Sequence, residues 1–166
     1  MATGRCLDSA KPDGNCLFRT LSKQLCGDPE QHPKLQKIIT DCVASNPSLF
    51  SGWMTDNQSI EEHLQKMRNT GCWGSHLEIK AAATIFKKSI YVATDTLVLG
   101  QCKWMVFPPF QVHHLPDLMD FHVSNQKSWL EVAYTDGCHY NGVLAIRSDK
   151  PLNPPKLTGI TLNLQL

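Results

Sequence analysis

Apolar residues in the first half of the chain recur at helical spacing, and in the second half they alternate. Leu17, Leu21 and Leu25 lie one helical turn apart just after the turn chemistry of Asp13-Gly14-Asn15. A helix is therefore expected to open at Cys16 and to stop at Gly27-Asp28-Pro29. A second is expected from about Pro33 to Ala44, with Leu35, Ile38, Ile39 and Cys42 on one face and Asn46-Pro47 ending it. Ser59 with Glu62, and Ser75 with Glu78, are capping-box signatures for two more helices. The first would turn Ile60, Leu64 and Met67 inward, and the second would run to about Phe86, with Gly71-Cys72-Trp73-Gly74 as the loop between them.

Beyond Phe86 the period shortens to two. Ser89 to Thr94 and Trp104 to Phe107 read as strands, the latter stopped by Pro108-Pro109. Gln111 to Asn125 has no clear period and reads as a loop. Trp129 to Tyr134 and His139 to Ile146 read as a hairpin turning through Asp136-Gly137. Helices first and a mostly antiparallel sheet afterwards predict an α+β domain, a small sheet flanked by helices. After Arg147 the Pro-rich stretch Pro151 to Pro155 looks like a linker. Ile160, Leu162, Leu164 and Leu166 then alternate as an edge strand or a tail would. The expected division is a domain over residues 1–147 and a linker with edge strand or tail over 148–166.

Composition narrows the function classes. The 166 residues fit one domain, able to bury roughly two-thirds of its unfolded surface. A net charge of +1 from mixed acidic and basic residues gives no reason to propose nucleic acid or an anionic membrane as partner. No apolar run approaches the ~20 residues of a membrane span. The opening Met1 to Cys6 lacks the apolar core of a secretory signal. The seven cysteines are odd in number, scattered and without a C-x-x-C pair. They read as reduced thiols of an intracellular, cytoplasmic protein rather than as disulfides or a zinc site. No metal or cofactor is expected.

Only Cys16 comes with a mechanism. The exposed N–H groups and positive dipole end of a helix favour an ionised sulfur. The turn before it can aim successive N–H groups into one concavity, as an oxyanion hole requires; Cys16 N–H and that of Asp13 or Gly14 are the candidates. Asp13 itself can serve through its backbone or through a carboxylate bracing the loop. Downstream, His139 and Asn141 fall on the same side of a strand, so an amide oxygen can accept from the ring and fix its tautomer. Each residue alone has an ordinary structural role, and Trp73 and Trp104 alone read as core anchors. Their joint order is what points to a nucleophilic cysteine hydrolase.

At these residues the chain resembles the ovarian tumour (OTU) domain family of cysteine proteases, which remove ubiquitin, and in particular its compact transposon- or virus-type members. The resemblance lies in Asp13-Gly14-Asn15-Cys16-Leu17-Phe18-Arg19, in Trp73-Gly74 with Leu77-Glu78 leading to Ile90-Tyr91-Val92, and in His139-Tyr140-Asn141. It covers about residues 8 to 147. It implies a papain-like fold and cleavage of the isopeptide bond after the Gly-Gly tail of ubiquitin. Carried over to this chain, Cys16 is the nucleophile, His139 the general base and acid, Asn141 its orienter, and Asp13 part of the active-site loop. The family often carries an acid where Asn141 stands. Trp73, Gly74 and Tyr140 would line the channel for the Gly-Gly tail. The implied partners are ubiquitin, polyubiquitin chains or ubiquitin-like modifiers, met by a monomer; a module that binds ubiquitin without cleaving it is the alternative.

Overall fold

A helix whose leucines fall one turn apart must put that stripe against something, and here a sheet covers it. The computed structural model describes residues 4–54, 58–98, 101–112, 114–145, 153–155 and 157. Strand β1 (Arg5–Asp8) precedes helix α1 (Cys16–Cys26), followed by α2 (His32–Ser45), the single turn α3 (Pro47–Phe50), α4 (Ile60–Met67) and α5 (His76–Phe86). Four strands follow: β2 (Ser89–Val98), β3 (Gln101–Phe107), β4 (Trp129–Thr135) and β5 (His139–Ala145). They form one five-stranded sheet with β1 in the order β1-β5-β4-β2-β3. All neighbours are antiparallel except β2 and β4, which run parallel from Ser89 opposite Trp129. This is the α+β arrangement expected of a papain-like fold.

The helix signals act as their physical chemistry requires. Both capping boxes form, at Ser59 with Glu62 and at Ser75 with Glu78. Gly27 takes the left-handed conformation that ends α1, and its N–H donates to Lys23 O at 2.9 Å. Asp136 and Gly137 both have positive φ, 56° and 69°, the sign a type I′ hairpin turn needs at its two central residues.

Strand alternation sorts the sheet into two faces. Ile90, Val92, Leu130, Val132 and Tyr140 join the helix-side core with Leu17, Phe18, Leu21 and Leu25 of α1. The opposite face carries a small cluster of Ala93, Trp104, Ala133 and Val143. Beside it lies a buried ion pair, Arg5 Nε to Glu131 Oε2 at 2.5 Å, with Trp129 Nε1 donating to Glu131 Oε1 at 2.8 Å. Arg5 also donates to Asn153 O at 2.7 Å, and Pro155 is buried, so described parts of the Pro-rich segment rest on the domain. The alternating residues 160–166 lie outside the described residues.

Two features depart from the pattern-based expectation. β1 is absent from it because Arg-Cys-Leu-Asp shows no apolar alternation. Its pairing to β5 comes from backbone hydrogen bonds that leave no mark in composition. The β2–β4 pairing is parallel because long-range packing, not a hairpin turn, sets it. The described residues between Gln111 and Asn125 are irregular, as expected of a loop, and are held in place: Phe121 is buried against Phe86, and the N–H groups of Ser124 and Asn125 donate to Leu25 O at 2.9 and 3.1 Å. Two of the orphan donors of this loop thus answer an orphan carbonyl at the end of α1.

Candidate active site

The packing of α1 against β5 sets the site. Cys16, a free thiol at the first position of α1, is 5% exposed and receives the Tyr140 N–H on its sulfur at 3.4 Å. The fold thus brings residue 16 against the start of β5, which carries His139 and Asn141.

The loop before Cys16 is braced on both sides. Asp13 Oδ1 accepts the Asn15 N–H at 3.0 Å, and Asp13 Oδ2 accepts from Arg19 Nε at 2.8 Å. Arg19 reaches Glu30 Oε1 at 2.7 Å as well, so one guanidinium ties the loop, α1 and the following turn together. Arg19 holds the Asp13 carboxyl at a pKa of about 2, helped by the Asn15 N–H and opposed by burial. Asp13 and Glu30 in turn push Arg19 upward.

On the other side, Asn15 does not cap its own helix. Its Oδ1 accepts the Gly71 N–H at 2.8 Å, clasping the loop that runs through Trp73-Gly74. Gly14 has φ +82°, and a Cβ there would sit 2.2 Å from Gly71 O. Only glycine fits that approach. Gly14 and Cys16 therefore share a turn whose shape is imposed from two directions, and the first N–H groups of α1 have no carbonyl one turn earlier to occupy them.

The strand side differs from the expected direct contact between Asn141 and His139. Asn141 Oδ1 accepts the Ala10 N–H at 3.1 Å, and its Nδ2 donates to Thr135 Oγ1 at 3.1 Å. His139 Nε2 lies 3.2 Å from Ala10 O. The two side chains share a face, as alternation requires, but meet through one backbone residue. A carbonyl can only accept, so Nε2 carries the hydrogen and Nδ1 is the basic nitrogen of the neutral ring.

Of the three channel candidates, Trp73 is 61% exposed on the loop clasped by Asn15. Gly74 packs closely on α1; a Cβ there would come within 2.5 Å of Leu17 Cδ2. The Tyr140 ring is buried in the core against Tyr134, with centroids 4.9 Å apart, and burial pushes its hydroxyl pKa up. Its contribution at the sulfur is a backbone N–H, because its ring faces the helix-side core. Among the described residues no group of three or more His, Cys, Asp or Glu is arranged to hold a metal ion.

Pattern reasoning misses Ala10, Glu30 and Thr135. Ala10 acts through its peptide, which leaves no side-chain signal. Arg19 stood in the quoted motif, and its spacing of six from Asp13 is the clue that was available.

The comparisons agree with this geometry. The family model for OTU-like cysteine proteases matches residues 11–140. The ovarian tumour domain-containing deubiquitinating enzyme 9 of Arabidopsis thaliana is 30% identical over 131 residues, 79% of this chain and 33% of that protein. Human OTU domain-containing protein 5 is 27% identical over 165 residues, 97% of this chain and 25% of its own length. The chain thus spans about a third or less of these curated relatives. Among solved structures, an OTU deubiquitinase from Wolbachia pipientis wMel bound to ubiquitin superposes with a TM-score of 0.63. It is 16% identical, with 86% of this chain and 96% of that one covered, which establishes likeness of fold. A motif that begins at the braced loop and ends on the strand touching the sulfur is what the family match spans, and the chain belongs to the OTU-like cysteine protease family.

Proposed function

We propose that this chain is a cysteine-dependent deubiquitinase that hydrolyses the isopeptide bond after the C-terminal Gly-Gly of ubiquitin. The observation that carries the reading is the Tyr140 N–H on Cys16 Sγ at 3.4 Å, which sets a helix-terminal sulfur beside the strand bearing His139. Family membership and the deubiquitinating relatives support the substrate.

In this reading His139 Nδ1 takes the Cys16 proton, and the sulfur attacks the terminal glycine carbonyl. The electron pair moves to oxygen, where N–H groups of the Asp13–Cys16 turn receive the charge; each such donor contributes about 3–4 kcal/mol. Collapse breaks the C–N bond, and protonated His139 delivers its proton to the departing lysine amine. Water, giving its proton to His139, then attacks the thioester and frees ubiquitin. Asp13 holds the turn through Arg19, and Trp73 with Gly74 borders the path of the diglycine tail.

A ubiquitin bearing a C-terminal electrophile tests this. The expected result is one covalent adduct mapped to Cys16, absent in Cys16→Ala along with turnover of a ubiquitin C-terminal fluorogenic substrate. An unlabelled parent protein, or an adduct on another cysteine, overturns it. The same probe built on ubiquitin-like modifiers reads the selectivity.

A further inference from the structure

Ala10 is a residue with no functional side chain, yet its peptide groups bond to both functional side chains of β5. Its N–H donates to Asn141 Oδ1 at 3.1 Å, and its C=O lies 3.2 Å from His139 Nε2. Asn141 is itself 8% exposed and held at its other end by Thr135 Oγ1 at 3.1 Å. Residue 10 is delivered to this place by β1, whose last residue, Asp8, pairs with Gly142 and is held by Lys23 Nζ at 2.8 Å. We infer that the group fixing the His139 tautomer is the main-chain carbonyl of Ala10, and that Asn141 and Thr135 are positioning residues that act on His139 through the backbone of that residue.

The physical case rests on what each atom can do. A carbonyl accepts, so it holds the hydrogen on Nε2 and leaves Nδ1 basic. The Ala10 N–H and C=O belong to the two planar peptide groups either side of one Cα, so fixing the first leaves only φ and ψ of Ala10 between it and the carbonyl. The Asn141 oxygen pins the N–H of the same residue, and the Thr135 hydroxyl pins Asn141. Orientation by a neutral dipole requires only an acceptor at Asn141 Oδ1. An aspartate there keeps that acceptor, and the Thr135 hydroxyl can rotate to donate to it, so either residue type suits the position.

The inference rests on the proposed hydrolase reading for its kinetic arm, while its spectroscopic arm stands apart. In ¹⁵N-histidine protein carrying Cys16→Ala, which has no thiol proton to give the ring, the neutral His139 ring is expected to carry its hydrogen on Nε2 and none on Nδ1. Asn141→Asp should keep that signature and stay within about three-fold of parental kcat. Asn141→Leu, close in shape but with no acceptor, should mix the tautomers and lower kcat by about 10–100-fold with KM little changed, as small misplacements of a reacting group do. Thr135→Val, which spares the Ala10 contact but loosens Asn141, should fall between them and serves if Asn141→Leu does not fold. A neutral His139 ring that carries its hydrogen on Nδ1 rather than on Nε2 overturns the inference. So does an unchanged tautomer and kcat in Asn141→Leu, or in Thr135→Val if that variant must stand alone. If the parent hydrolyses nothing while the Nε2–H signature follows this order, the substrate reading fails and the positioning stands.

Discussion

Two helix starts in this molecule solve the same problem in opposite ways. At α5, Ser75 Oγ accepts the Leu77 N–H at 3.3 Å and Glu78 Oε2 accepts the Ser75 N–H at 2.6 Å, so local side chains answer the exposed donors. At α1, Asn15 is a residue type equally suited to capping, but its oxygen crosses to Gly71 and leaves its own helix uncapped. The first arrangement stabilises a helix. The second keeps donors open beside a cysteine and transfers the task of holding the turn to tertiary contacts. In the proposed hydrolase the chemically useful end is the locally unsatisfied one.

The most damaging way to break the contrast is Gly14→Ala. A methyl 2.2 Å from a backbone oxygen, at a φ of +82°, must push the two loops apart. A loss of at least ~2 kcal/mol in thermal unfolding, with adduct formation by the ubiquitin electrophile abolished, is expected. Next comes Asn15→Ala, which orphans the Gly71 N–H and should cost about 1–3 kcal/mol. Asn15→Ser sharpens the comparison further. Serine caps well but is too short to span to Gly71, so α1 would gain an ordinary cap and still react more slowly with the probe. Recovery of the full parental rate in Asn15→Ser would show that the clasp is dispensable.

Smaller still is Ser59→Ala at the exposed start of α4, expected to lower stability by ~1 kcal/mol and leave the probe rate unchanged. The smallest effect is the acid dependence of the Asp13 brace. The native carboxyl sits at about 2, below its ordinary value, so the unfolded chain binds the proton more readily. The brace therefore contributes fully above pH ~4 and is lost as pH falls from there toward 2. Because this pair is partly exposed, solvent screening keeps it to ~1 kcal/mol or less. Arg19→Ala should flatten that limb in acid unfolding curves.

Much of the helical half was legible because its signals are local. The leucine stripe of α1, the two capping boxes and the Asp136-Gly137 turn depend on residues within a few positions of one another. The cysteine and histidine were legible for a related reason: their side chains announce chemistry wherever they sit. Ala10 was not, since it acts through atoms common to every residue. The buried Arg5–Glu131 pair joins positions 126 apart, and nothing near Arg5 marks it as buried rather than a surface charge. Tyr140 shows the converse. Its side chain is the chemically conspicuous part, but alternation turns the ring into the core and leaves its main chain at the sulfur.

By itself, then, the order of residues determined the four longer helices, the fold class and the candidate reactive side chains, because spacing and side-chain type are properties of short segments. Which backbone groups meet the imidazole, the thiol and the loop glycines was decided only by the packing of α1 against β5 and of β1 beside it. Main-chain donors and acceptors are the same at every position, and only a fold can choose among them.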